Sequence, residues 1–183
     1  LVYGPFSVVW GFAVVLLTMM LHRHRDKSDR YIFVFGTVVG GAYEYICSVL
    51  SEIVFGAVFW DYSKLPINLG GRINLLYCFF WGLASVIWIR YVYPPLSRLI
   101  EKIPKKPGVW ISWILIVFMV FDMLISAMAL TRYSARYIGE EPQTMVGEML
   151  DEHFPDARME KVYPKAIIRA VSGNSAPPRT GGV

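Results

Sequence analysis

Three carboxylates, Glu44, Glu52 and Asp122, stand in stretches of this chain that are otherwise strongly apolar. An ionised carboxylate at the centre of a bilayer costs about 2.5–3.5 kcal/mol on insertion scales. Each acid at that depth must therefore face the interior of a helix bundle, meet a partner, or carry a proton. The chemistry that follows is a substrate, ion or proton pathway. The plainer alternative is that the acids are hydrogen-bonded to Ser, Tyr or Trp side chains and only fasten helices together. For Glu52, about 12 Å further along a helix than Glu44, simple exposure at the membrane interface is a third reading. Arg72 is the natural basic partner, because a guanidinium forks two hydrogen bonds onto a carboxylate. Pairing with Glu44 or Glu52 is expected.

Arg72 closes a polar, turn-rich segment, Trp60 to Asn74, that holds Pro66, Asn68, Gly70 and Gly71. Adjacent glycines permit positive φ, and asparagine side chains satisfy backbone groups that a turn leaves open. Trp60 and Tyr62 suit a membrane–water interface. Irregular backbone survives at membrane depth only under cover of protein or water. A dip into the bilayer and an ordinary surface loop are both compatible with this composition. The polar candidates for a pathway are thus Glu44, Glu52, Asn68, Arg72, Asn74 and Asp122.

The elements that must hold these residues follow from composition. Hydrophobic residues make up 55% of the chain and charged residues 17%, where a soluble domain averages about 25% charged. Mean hydropathy is +0.45. No charge occurs in residues 1–21, 73–89 or 108–121. A hydrocarbon core of about 30 Å needs roughly 20 mostly apolar residues per helix. The expected fold is therefore an all-α polytopic bundle with spans at about 3–21, 31–55, 73–93 and 109–130. A small extramembrane tail, 131–171, follows, with a short amphipathic helix between Gln143 and Phe154. Residues 172–183 have the composition of a disordered end. Pro94 and Pro95 are expected to stop the third helix.

On the second span, Gly36, Gly40, Glu44, Ser48 and Ser51 fall on one small-and-polar stripe. Gly36 and Gly40 form a GxxxG pattern that lets helices approach closely in lipid. Asn74, Cys78, Trp81 and Ser85 share a face of the third span, and Ser126 and Ala129 share that of Asp122. Gly36, Gly40 and Ser48 read as helix-packing positions. Arg90 reads as a snorkelling anchor.

The net charge of +4 does not point to nucleic acid, because the cations cluster beside the spans. The 22–30 and 96–107 connections are rich in Lys/Arg, and the intervening 56–72 connection is not. Short basic loops stay in the cytoplasm. That orientation puts 22–30 and 96–107 inside, and the chain's start and its tail outside, in a multi-pass protein of the cell membrane. Cys47 and Cys78 lie within spans and read as packing residues rather than a disulfide. His22 and His24 sit in a basic loop, with no metal-ligand spacing, so no metal or cofactor is expected. The chain opens on Leu1 with no basic stretch before its first apolar run, so residues 1–21 do not read as a signal peptide. A lost beginning that carried another span is expected instead.

The sequence has no nucleophile elbow, no zinc-protease motif and no phosphate-cradling loop. No enzyme is expected, and any ATP-driven step would need an ATPase on another chain. A membrane enzyme that uses an acid as general base on a lipid-linked substrate is the remote alternative.

In combination, Tyr3 to Phe6, Trp10–Gly11, Glu44–Tyr45, Trp60 to Tyr62, Pro66 to Leu69, Gly71 to Leu75 and Trp81–Gly82 resemble the bacterial family of putative ABC-transporter permeases, type IV. Phe154 to Asp156 and Tyr163–Pro164 extend the resemblance to about residue 165. It implies a further N-terminal span, a transport role, and dependence on a separate ATPase subunit and on a second copy or a partner membrane subunit. It implies no substrate and no catalytic residue. The rival reading is a non-transporting scaffold or regulatory subunit.

Overall fold

A computed structural model describes residues 1–168. The segment 172–183, whose composition suggested a disordered end, lies outside the described residues. Helix α1 (Val8–His22) starts at Ser7, whose hydroxyl accepts from the Trp10 amide. Its 15 residues rise about 22 Å, short of a full span. Helix α2 (Asp29–Phe55) is capped by Ser28 and ends at Gly56, which takes the left-handed conformation (φ 62°). The buried face of α2 is Ile32, Gly36, Gly40, Gly41, Glu44, Ser48 and Ser51. This is the small-and-polar stripe expected from helical spacing, with Ile32 and Gly41 added.

A two-residue strand, β1 (Ala57–Val58), leads into the polar loop. There β2 (Asn68–Leu69) and β3 (Ile73–Asn74) pair antiparallel, Asn68 opposite Asn74 and Leu69 opposite Ile73. Helix α3 (Leu75–Ile87) begins on Asn74, whose side chain accepts from the Leu76 amide at 2.9 Å.

The third rod corrects one expectation. Pro94 and Pro95 do not end it. The chain passes through a π-helical segment, Trp88–Val92, into α4 (Tyr93–Glu101). The prolines fall in the first turn of α4, where backbone N–H groups have no intrahelical partner to lose. The inserted residue of the π segment is what allows a helix to restart there without breaking direction. Leu75–Glu101 is accordingly one apolar rod of 27 residues. The 96–107 connection shrinks to a turn at 102–104, since α5 (Lys105–Tyr137) begins at once.

Helices α2 and α5 and the Leu75–Glu101 rod are each long and apolar enough to cross a membrane. The first apolar stretch supplies only the 15-residue α1. Among the described residues three helices thus have the length and composition to cross, and α1 is a shorter apolar helix beside them. Two apolar clusters hold the helices. One joins Leu17 and Leu21 of α1 to Ile32 and to Ile89 of the π segment. The other joins Val2 and the end of α5 (Ala129, Leu130) to the tail.

Arg90, read as an anchor to lipid, instead donates to Asp29 at 2.8 Å and to the carbonyls of Arg25 and Lys27. It fastens the α1–α2 turn to the third rod. Spacing could not reveal this, because the acceptors are mostly backbone oxygens.

The tail contains the short helix expected near 143–154, as α6 (Met145–His153), capped by Thr144. A second one, α7 (Asp156–Val162), follows Pro155. Strand β4 (Ile167–Ile168) pairs antiparallel with β1, which ties the tail to the end of α2. Arg132 and Arg136 of α5 both reach Asp151 of α6, and Arg136 also reaches Asp156 at 2.7 Å.

These cations hold the Asp151 carboxyl below the usual carboxylate range, Arg132 most strongly through its hydrogen bond and Arg136 adding to it. A carboxylate with a depressed folded pKa contributes stability that is present above its unfolded pKa, about 3.9. That contribution is lost as pH falls through the folded value. Acidification from neutral pH to below about 4 should therefore loosen α6 and α7 against α5 while the helix bundle persists. Limited proteolysis should then cut between Ile138 and Pro155, and the Asp151→Asn protein should already show this cutting at neutral pH.

Candidate functional site

Glu44 lies midway along α2 and is 8% exposed. Each of its carboxylate oxygens has its own donor. The Tyr62 hydroxyl, from the loop, donates to Oε1 at 2.7 Å, and Trp81 Nε1, from α3, donates to Oε2 at 2.9 Å. Charge-assisted bonds of this kind are the stronger ones. Both donors are braced by rings. Tyr62 stacks on Tyr77 with centroids 4.5 Å apart, and Trp81 stacks on Trp10 of α1 at 5.2 Å. Burial pushes the Tyr62 phenol well above its ordinary value and the bond to Glu44 pushes it further. Tyr62 thus remains a proton donor at any ordinary pH.

One and two turns further along α2, Arg72 takes up Ser48 and Glu52. Its Nη1 donates to Ser48 Oγ at 3.2 Å, and its Nη2 is ion-paired with Glu52. Of the two acids open to Arg72, the structure selects Glu52, and Glu52 is accordingly a paired group rather than a freely exposed one. Trp60 Nε1 donates to the Arg72 carbonyl at 2.9 Å, so the loop grips Arg72 from its backbone side as well.

The loop is built to hold Tyr62 and Arg72 over α2. Asn68 Oδ1 accepts from the Gly71 amide at 2.9 Å, while its Nδ2 donates to Leu65 O at 2.6 Å. The Tyr62 amide donates to Gly71 O at 2.8 Å. Gly71 has φ +69°, and a Cβ there would stand 2.6 Å from Asp61 Oδ1. Only glycine satisfies both the conformation and the space. Asn74 Nδ2 donates to the carbonyls of Pro66 and Ile67 while its Oδ1 caps α3. Asn68 and Asn74 are therefore spent on backbone, as shapers of the loop. Ile67 adopts φ +55°, an uncommon state for a β-branched residue, and its carbonyl accepts from the Leu75 amide at 3.1 Å. Its side chain stands 73% exposed.

Close approach of α2 and α3 makes the Glu44–Trp81 bond possible. A Cβ at Gly40 would lie 2.5 Å from Trp81 Cβ, one at Gly36 2.5 Å from Ser85 Cβ, and one at Gly82 2.7 Å from the Phe33 carbonyl oxygen. Gly36 and Gly40 thus lie where α3 comes closest to α2, and Gly82 leaves the matching gap in α3.

Asp122 belongs elsewhere. It is fully buried in α5, and its Oδ1 accepts from the Tyr3 amide and from Ser126 Oγ, each at 3.2 Å. Ser126 Oγ in turn accepts from the Val2 amide at 2.9 Å. Its Oδ2 has no hydrogen-bond partner among the described residues. Tyr163 of the tail also meets Ser126, and burial raises its phenol above the ordinary value. Asp122 therefore joins the chain's first residues and the tail to α5, and takes its hydrogen bonds from a different set of residues than Glu44. A single route lined by Glu44, Arg72, Asn74 and Asp122 is not what the contacts assemble.

Tyr62 and Trp81 were not among the polar candidates, although Trp81 shares a helix face with Asn74 and Ser85. Cys47 and Cys78 are free thiols. No group of three metal-ligating side chains occurs among the described residues.

The model of the family described as "Putative ABC-transporter type IV" matches residues 1–127, more than half of the chain. The chain belongs to that family. No curated protein matches it, and no solved structure does. This type IV match takes in α1 to α4, the polar loop, Glu44, Arg72 and Asp122. It stops before the tail, so the Phe154 to Asp156 and Tyr163–Pro164 motifs fall outside it. Family and apolar helices together make this type IV chain a membrane protein of an ABC-transporter-related family.

Proposed function

We propose that this type IV chain is a membrane-embedded transport subunit that works with an ATPase carried on another chain. Its basic segments face the cytoplasm in this reading: 22–30, and 96–107, which comprises the end of α4, the turn at 102–104 and the start of α5. The observation that carries it is Glu44, an acid buried between α2 and α3 and bonded at once to the polar loop (Tyr62) and to the neighbouring helix (Trp81). A loop and a helix that share one carboxylate move together, which is what coupling a mouth to a bundle requires. The end of the third rod, α4, with Arg98 on it and Lys102, Lys105 and Lys106 just beyond it, is an amphipathic stretch at the proposed cytoplasmic end that an ATPase could grip. The family name supports this reading at the level of class.

The decisive experiment is affinity purification of the full chain from its native membranes, with identification of bound chains and assay of ATP hydrolysis. An ATP-hydrolysing subunit in stoichiometric amount is expected. Recovery of intact complexes without one would overturn the assignment.

A second reading, a non-transporting scaffold, is favoured by one specific feature. Both Glu44 oxygens and Arg72 already have protein partners, which is what a packing role needs. Under it, no ATPase is recovered and Glu44→Gln has no effect beyond stability.

A further inference from the structure

At the tail end of the bundle, a groove of about 600 Å³ opens between the chain's first residues and α7. One wall is apolar, from Val2, Pro5 and Phe6; the other carries Arg158 and Lys161. Arg158 is held in place without its charge being met. Its guanidinium lies 4.6 Å from the centroid of Phe154 and 5.8 Å from that of Tyr3, and Nη1 donates to the His153 carbonyl at 3.0 Å. Arg72, Arg90, Arg132 and Arg136 all sit in ion pairs with carboxylates. Among the described residues Arg158 and Lys161 have no such pair. A positioned guanidinium beside an ammonium, both facing a groove, matches a phosphate diester, which accepts several hydrogen bonds and carries one full charge.

The apolar wall says what the phosphate is attached to. The Phe6 ring meets Phe118 of α5 edge-on at 6.1 Å, and Phe118 belongs to the broad exposed apolar surface of α5 that runs through Ile114, Leu115 and Val117. The groove is therefore continuous with an exposed apolar surface on a helix long and apolar enough to cross a membrane. Gly4, with φ +118°, turns the first residues so that Phe6 forms this wall.

From this continuity and the unmet charge, we propose that the groove binds an anionic phospholipid. Its phosphate sits between Arg158 and Lys161, and one acyl chain descends past Phe6 and Phe118. The site is separate from Glu44 and does not depend on a transport role. It would let the tail sense, or be fastened by, the charge of the surrounding leaflet.

The test is native mass spectrometry of the full chain in detergent, titrated with phosphatidylglycerol and with phosphatidylcholine. A Lys or Arg near the surface contributes enough that two should favour the anionic lipid by about ten-fold or more. R158A/K161A should abolish that preference. R98A/K102A, which removes the same charge at α4, should keep it. Should R158A loosen the tail by removing its ring contacts, K161E still decides, since no hydrogen bond or ion pair of the described residues involves that side chain; it too should abolish the preference. Glycerol phosphate at matched concentration should not compete, because it lacks the chain that Phe6 receives. Retention of the preference by both Lys161 variants, an equal loss in R98A/K102A, or equal competition by glycerol phosphate would each overturn the assignment.

Discussion

Gly40→Ala should separate α2 from α3 and cost roughly 3 kcal/mol or more of stability, the sum of overpacking and a strained or broken charge-assisted bond. The new methyl group would stand 2.4 Å from Trp81 Cγ and 2.5 Å from Trp81 Cβ. Rotating the indole away cannot relieve the second contact, because Cβ is fixed to the backbone. The helices must therefore part, and the Trp81 Nε1 bond to Glu44 stretches with them. Gly82→Ala should act in the same direction, since its methyl group meets the Phe33 carbonyl at 2.7 Å.

Two controls isolate the cause. Gly41→Ala meets chiefly Cys78 Sγ at 2.7 Å, the movable end of a side chain, and Gly11→Ala meets nothing within 4 Å. The first should be mild. The second should be neutral or slightly stabilising, because alanine is the better helix former by up to about 1 kcal/mol. Thermal unfolding in one detergent, with tryptophan fluorescence as the local report on Trp81, measures all four. If Gly40→Ala melts with the Gly11→Ala protein, the close contact of α2 and α3 is wrong.

Glu44→Leu should be similarly severe, and Glu44→Gln should not. Leucine strands two donors, the Tyr62 hydroxyl and Trp81 Nε1, in a place with little water. Each unsatisfied buried group costs about 1–3 kcal/mol, so a loss of roughly 2–6 kcal/mol is expected. Glutamine keeps an acceptor for Trp81, and its amide can donate to the Tyr62 oxygen, which accepts as well as donates. The fold should survive in Glu44→Gln with a loss of about 1 kcal/mol or less. That survival is what makes the substitution informative about function, because it removes the charge and leaves the packing. A transport role predicts that Glu44→Gln impairs uptake or growth in cells at normal protein level. Thermal shift of the two purified variants, read beside that phenotype, separates the transport reading from the scaffold. Equal destabilisation by Leu and Gln would mean that the charge itself, rather than the donor count, holds Glu44 in place.

Much of this was readable from residue spacing, and the reason differs from element to element. The α2 stripe was legible because a helix repeats every 3.6 residues, so Gly36, Gly40, Glu44, Ser48 and Ser51 must share a face wherever the helix goes. An apolar chain can tolerate such a stripe only against other protein. The all-α character followed from the long uncharged runs, since backbone polar groups in lipid must be satisfied within the segment. The restart of the third rod at Pro94 was not legible. It depends on one inserted residue between Trp88 and Val92, and hydrophobic periodicity is too coarse to register a single residue.

Sequence alone therefore determined which residues need partners: three acids and an arginine among apolar neighbours, and a loop of Asn and Gly shaped for turning. Only the tertiary structure decided who those partners are. The choice of Glu52 over Glu44 by Arg72 rests on the pairing of Asn68 with Asn74 and on where the loop then lays Tyr62, a matter of a few ångströms that spacing along α2 leaves open. The separation of Asp122 from Glu44 rests on contacts between residues 119 or more positions apart, the Tyr3 and Val2 amides with Asp122 and Ser126. Local periodicity says which way a side chain points from its own helix axis. The partner it meets depends on how the helices pack, and that is settled by the whole chain at once.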